Sequence, residues 1–134
     1  MSFIEVAIAD AKAPEVQPEG VYDLVIEKAD MYKKERLVDG SSKTSVRCII
    51  GFDGVPGAAS IFHYQSLPGP DDDSEKVNNK LLMLKRFLEA FHIPFEGNGF
   101  AIEDCVGARG RFFVTQEPDQ NNIPRNVLTF KKVA

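Results

Sequence analysis

The chain has 134 residues and a mass of 14.9 kDa, the size of one ordinary domain. At 43% hydrophobic and 27% charged it can bury a core without a metal or disulfide staple, and no run approaches the ~20 apolar residues of a membrane span. Its net charge of -4 is uneven: Glu5, Asp10, Glu15 and Glu19 against Lys12 make the first twenty residues acidic, and Asp71, Asp72, Asp73 and Glu75 form a second acidic run. The remainder is mildly basic and compatible with an anionic partner.

Residues 1–19 read as an arm and connector, and 20–134 as the body. Phe3, Ile4, Val6 and Ile8 are placed to add a short strand or to dock on the body. Pro14 and Pro18 make the stretch to Glu19 an extended connector. Met1-Ser2-Phe3-Ile4-Glu5 lacks a basic leader and a long apolar core, so no signal peptide is expected, and two cysteines far apart in sequence, Cys48 and Cys105, make a reducing cytoplasm the default.

Val21 to Ala29 is predicted as strand 1, with Tyr22, Leu24 and Ile26 facing inward. Asp30 to Lys43 is polar, contains Gly40-Ser41-Ser42, and is predicted as a long loop or hairpin tip. Strand 2 is Thr44 to Phe52, with Val46, Cys48, Ile50 and Phe52 on one face and Ser45, Arg47 and Ile49 on the other. Asp53-Gly54-Val55-Pro56-Gly57 is turn chemistry. Strand 3 is Ala59 to Gln65. Alternation leaves its faces open, Phe62 and Tyr64 against Ile61, His63 and Gln65, with Phe62 and Tyr64 favoured as core over stacking platforms.

Val77, Leu81, Leu84, Leu88 and Phe91 then recur at helical spacing, predicting a helix from Ser74 or Glu75 to Phe91. Asp73 or Ser74 is its cap, and the acids before it suit the helix dipole. Strand 4 is Arg109 to Glu117 and strand 5 is Arg125 to Lys132, joined by the polar loop Pro118-Asp119-Gln120-Asn121-Asn122. Three strands, a helix and two strands is the order of an OB-fold: a mainly β, five-stranded antiparallel barrel with one helix between strands 3 and 4.

Catalysis has little to stand on. His63 and His92 have no partner at metal-ligand spacing, and the Asp71–Asp73 run lacks the spaced ligands of a calcium loop. Cys48 belongs on a core face, and Cys105 has no nearby base. No nucleotide-binding or hydrolase motif is present. The chain reads as a non-enzyme with no cofactor and no metal.

Single-strand binders need cations for phosphates and rings for bases. Tyr32, Lys33, Lys34 and Arg36 fall in the predicted 1–2 loop, where an ordinary charged loop is the plain alternative. Arg47 projects from the solvent face of strand 2. In strand 4, burying Phe112 and Val114 leaves Arg109, Arg111 and Phe113 outside, because the opposite register would bury two arginines. Tyr64 either joins the core or stacks a base, and Arg125 closes the 4–5 loop.

The segment Pro18-Glu19-Gly20-Val21-Tyr22-Asp23-Leu24-Val25-Ile26-Glu27-Lys28-Ala29 resembles the opening of a family of small phage and prophage proteins. These are OB-fold single-stranded DNA-binding proteins encoded beside replication and recombination genes. The resemblance runs through Gly40, the Val46 to Phe52 strand, the helix ending near His92, Val106-Gly107-Ala108-Arg109-Gly110 and Asn126-Val127-Leu128, about residues 18–132. Two features depart from the family. The basic residue after the glycine of the Val-Gly step is displaced to Arg109, and Phe130-Lys131-Lys132-Val133-Ala134 replaces an acidic tail. The resemblance implies a protein that coats single-stranded DNA with little sequence preference in phage replication or recombination, in the host cytoplasm. Replication or recombination proteins are the implied further partners, and a homo-oligomer is left open. The alternative is a non-enzymatic assembly module, in which Phe113 and the arm contact protein.

Overall fold

The computed structural model describes residues 2–34 and 43–129. Five strands and one helix follow in order: β1 (Gly20–Lys34), β2 (Lys43–Phe52), β3 (Ile61–Ser66), α1 (Ser74–Ala90), β4 (Arg109–Pro118) and β5 (Pro124–Thr129). All strand pairs are antiparallel, in one sheet of order β3-β2-β1-β4-β5. The chain is thus mainly β with a single long helix among the described residues.

The inward sets are those the alternation predicts. Leu24 and Ile26 of β1, Val46, Cys48 and Ile50 of β2, and Phe112 and Val114 of β4 are buried together. Leu84, Phe87, Leu88 and Phe91 of the helix face pack over them. Asp73 caps α1, its carboxylate accepting the Lys76 N–H at 2.8 Å. At the other end His92 takes φ 56, a left-handed cap, while the Ile93 N–H returns to the Leu88 carbonyl at 2.8 Å. Strand β4 passes close beneath this end: a Cβ at Gly110 would sit 2.5 Å from the Ala90 carbonyl oxygen.

Three expectations are corrected. Strand 1 does not stop at Ala29; it continues to Lys34, so Tyr32, Lys33 and Lys34 lie on a strand rather than in a loop. The alternation fades there because this end of the β1–β2 hairpin carries little burial on β1: Met31 is exposed on the face where Ile26 is buried. In β3, Ile61 and Gln65 are buried, and Phe62 and Tyr64 face solvent at 59% and 49% exposure. Two polar residues can occupy the inner face because they satisfy each other: His63 Nε2 and Gln65 Oε1 are 3.0 Å apart, and the imidazole stacks on Phe87. Finally, the arm neither forms a strand nor docks. It makes a short 3-10 turn at Ile8–Asp10, and Phe3, Ile4, Val6 and Ile8 stay exposed.

The connector behaves differently from the arm. Glu15 makes a parallel bridge with Ala58, between its N–H and Gly57 and between its carbonyl and Ala59. The Gln17 N–H donates to Asn126, whose amide donates back to the Gln17 carbonyl, each at 2.8 Å. Residues 15–17 therefore lie across from the entrance of β3 to β5. The parallel sense of the bridge sends upstream residues back past the β2–β3 turn, away from the β3 edge, which explains why the arm finds no strand partner there. Strands β3 and β5 come within 8 Å between Cα atoms, yet no ladder joins them among the described residues, so the hydrogen-bonded sheet is not closed. The end predicted for strand 5, residues 130–132, lies outside the described residues.

Candidate nucleic-acid interface

The ladder register determines which side chains meet on the outer face. Asp30 of β1 opposes Arg47 of β2, which opposes Tyr64 of β3. The flanking rows on the same face are Lys28–Ile49–Phe62 and Tyr32–Ser45–Ser66. Three strands separated in sequence thus bring an arginine, two tyrosines and a phenylalanine to one surface.

Arg47 is the centre of it. Its Nε and Nη2 donate to the two carboxylate oxygens of Asp30 at 2.9 and 2.6 Å. Its guanidinium lies 5.0 Å from the Tyr32 ring centroid, and Tyr32 meets Tyr64 edge-on at 5.5 Å. The bond from Arg47 holds the Asp30 carboxyl below its ordinary range, against a smaller opposing effect of desolvation. Lys34 and Lys43 oppose each other farther along the hairpin, next to the Lys33–Thr44 pair. Beside these rows lies a groove of about 600 Å³ whose walls include Glu27, Lys28, Asp30, Arg47, Ile49, Phe62, Tyr64 and Val106.

A β-bulge shapes the groove. The β1–β2 register slips between Ile26 and Lys28, and Glu27 and Lys28 are both exposed. At this point the β1 backbone turns to a second partner. The Ile26 N–H donates to the Ala108 carbonyl at 2.9 Å, and the Gly107 N–H to the Ile26 carbonyl at 2.7 Å.

The other candidate residues divide by place. Tyr32, Arg47 and Tyr64 are brought together, and Phe62, Ile49 and Lys28 join them. Lys33 and Lys34 lie on the same hairpin. Arg36 lies outside the described residues. Arg109 opposes Val25 and is ion-paired with Asp53, while Arg111 opposes Asp23 with 3.7 Å between the charged groups. Phe113 is half-buried between its ladder partners Val21 and Thr129. Val21 precedes Asp30 by nine residues, ~30 Å of extended strand, so Phe113 is not part of the groove. Arg125 opposes Glu117 beside the 4–5 loop, toward the Gly20 end of the sheet. Phe62 is the residue that hydropathy hid; the His63–Gln65 spacing, two polar side chains able to pair across one face, is the signal that could have exposed it.

Other chemistry is sparse. Burial pushes the Cys48 thiol up to about 12 and Cys105 to about 11, so neither is a thiolate at neutral pH. Burial lowers the His63 pKa, with the Gln65 hydrogen bond opposing. Among the described residues no group of three His, Cys, Asp or Glu side chains could hold a metal, and no helix is long and apolar enough to cross a membrane. No family model matches the chain, and no curated protein matches it either.

Proposed function

We propose that this chain is an OB-fold protein that coats single-stranded DNA with little sequence preference and performs no chemistry. The observation that carries the reading is the outer surface of β1–β3, where Phe62 and Tyr64 stand exposed beside Arg47 and Tyr32. Large rings left in water beside a guanidinium are what base stacking and phosphate contact require. In OB-folds the corresponding strands 2 and 3 form the usual oligonucleotide face. The barrel part of the reading is supported by β1 pairing on both sides, with β2 and β4, and by the approach of β3 to β5. The resemblance of residues 18–132 to phage and prophage proteins supports a role in phage replication or recombination in the host cytoplasm, alongside replication or recombination proteins.

The test is fluorescence anisotropy of a labelled oligo-dT at about 50 and about 200 mM salt. Binding that weakens with salt is expected, and it should weaken further in Phe62→Ala and Tyr64→Ala. The absence of binding at the lower salt would overturn the reading. The exposed Phe3, Ile4, Val6 and Ile8 favour a second reading, an assembly module docking through its arm. That reading predicts an oligomer that Ile4→Asp or Val6→Asp dissociates, with no affinity for oligo-dT.

A further inference from the structure

A carboxylate in a phosphate-binding groove needs an explanation, because it repels the ligand's backbone. The groove beside Phe62 has two. Asp30 is neutralised by its two-point contact with Arg47. Glu27 is not: among the described residues nothing bonds or ion-pairs with it.

The local structure nevertheless seats this side chain. Glu27 is the extra residue of the β1 bulge, and bulges re-aim side chains. Its carboxylate lies over Gly51, in the space that a Cβ there would occupy. The groove walls around it are a ring (Phe62), an aliphatic side chain (Ile49) and a cation (Lys28). Bulge, glycine and ring together place a pure hydrogen-bond acceptor at the edge of a groove walled by an exposed ring.

From this geometry we infer that Glu27 gives the groove a modest preference for bases that present amino donors, namely guanine, cytosine and adenine, over thymine and uracil. The inference rests on the single-strand reading above. A carboxylate accepts from the cytosine N4 amine, from the adenine N6 amine, or from guanine N1–H and N2 amine together. Thymine offers only its N3–H, flanked by two carbonyl oxygens that the carboxylate repels. The preference is small because the site is open to water, and it coexists with stacking that accepts every base.

The experiment compares oligo-dC with oligo-dT of equal length, two pyrimidines with similar contact area, by anisotropy at neutral pH. The intact protein should bind oligo-dC about fivefold more tightly, the lower end of what one good polar base contact discriminates. Glu27→Gln should raise affinity for both oligomers by removing a repulsive charge, and should bring their ratio close to one. Gly51→Ala separates position from charge. The atoms nearest its Cβ are all of the flexible Glu27 side chain, so the fold should persist while the carboxylate is displaced, and the ratio should fall with the net charge unchanged. Equal affinity of the intact protein for both oligomers overturns the inference and leaves the single-strand reading standing. A Glu27→Gln variant that tightens both oligomers equally also overturns it, because Glu27 then only repels phosphate. Failure to bind either oligomer overturns the single-strand reading and this inference with it.

Discussion

The outer faces of β1–β3 and of β4 carry the same residue types, arginines beside aromatic rings, and present them to water differently. On β1–β3, Arg47 lies on Tyr32 and the Phe62 and Tyr64 rings stand free of the core. On β4, Arg109 and Arg111 each face an acid, and Phe113 is half-covered by its neighbours. The arginines of both surfaces are ion-paired, and the difference lies in the rings: Phe62 and Tyr64 are exposed, whereas Phe113 is half-covered. Residue type is therefore a poor guide to a binding face, and what each side chain already touches is a better one. On the first surface Asp30 engages Arg47 at two points, as a phosphate would.

The core beneath both faces is the most sensitive to substitution. Phe112 is buried with its ring 4.6 Å from Phe91, so Phe112→Ala should cost about 3–5 kcal/mol in urea unfolding. Phe113→Ala, half-exposed on the other side of the same strand, should cost about 1 kcal/mol or less. A reversal of that order would mean that β4 is read one residue out of register.

Binding measurements sharpen the contrast between the faces. Phe62→Ala and Tyr64→Ala should each weaken oligo-dT binding by about 1–3 kcal/mol, with little change in salt dependence, because stacking releases no counterions. Phe113→Ala should weaken it less than either. Should Phe113→Ala prove the most damaging, the interface belongs on β4 and the β1–β3 assignment fails.

The two faces of β3 differ in their response to pH. His63 is held neutral by burial, so its pKa lies below the ordinary value of 6.5. The unfolded chain then binds a proton more readily than the folded one. Stability is complete above about 6.5 and declines as pH falls below it, by at most ~1.4 kcal/mol per pH unit until the folded pKa is reached. His63→Gln should flatten the loss between pH 7 and 5, read from paired urea melts. Phe62→Ala, on the outer face of the same strand, should leave that slope unchanged.

The smallest expected effect is on salt dependence. Arg47→Ala should reduce the slope of log K against log salt by somewhat under one unit, while Arg111→Ala, outside the groove, should change it less. Asp30→Asn frees Arg47 and should tighten binding and steepen that slope. Weaker binding in Asp30→Asn would instead show that Asp30 orients the guanidinium for its ligand.

Much of the architecture was legible residue by residue. Leu24 and Ile26, Val46 to Ile50, and Phe112 with Val114 alternate, and the helix from Ser74 announces itself by its apolar spacing and its acidic start. Arg47 was legible as an outward cation, and the order of elements as three strands, a helix and two strands. The site was less so. Tyr32 looked like a loop residue because an exposed hairpin loses the burial contrast on which alternation depends. Phe62 looked like core because nothing local says that His63 and Gln65 will satisfy each other inside.

Local sequence is enough to define which strands and which helix form, because one-sided burial imposes a period of two or of about 3.6 on neighbouring residues. It also determined the inner faces of β2 and β4, where each alternative would bury arginine. That Asp30, Arg47 and Tyr64 share a row, that Glu27 lies over Gly51, and that Phe113 stands apart from them follow from the folded sheet alone. Those relations are strand registers and a bulge between residues far apart in the chain. They are set by which packing of the whole sheet buries the most apolar surface while leaving its polar groups paired, and no local stretch of sequence carries that information.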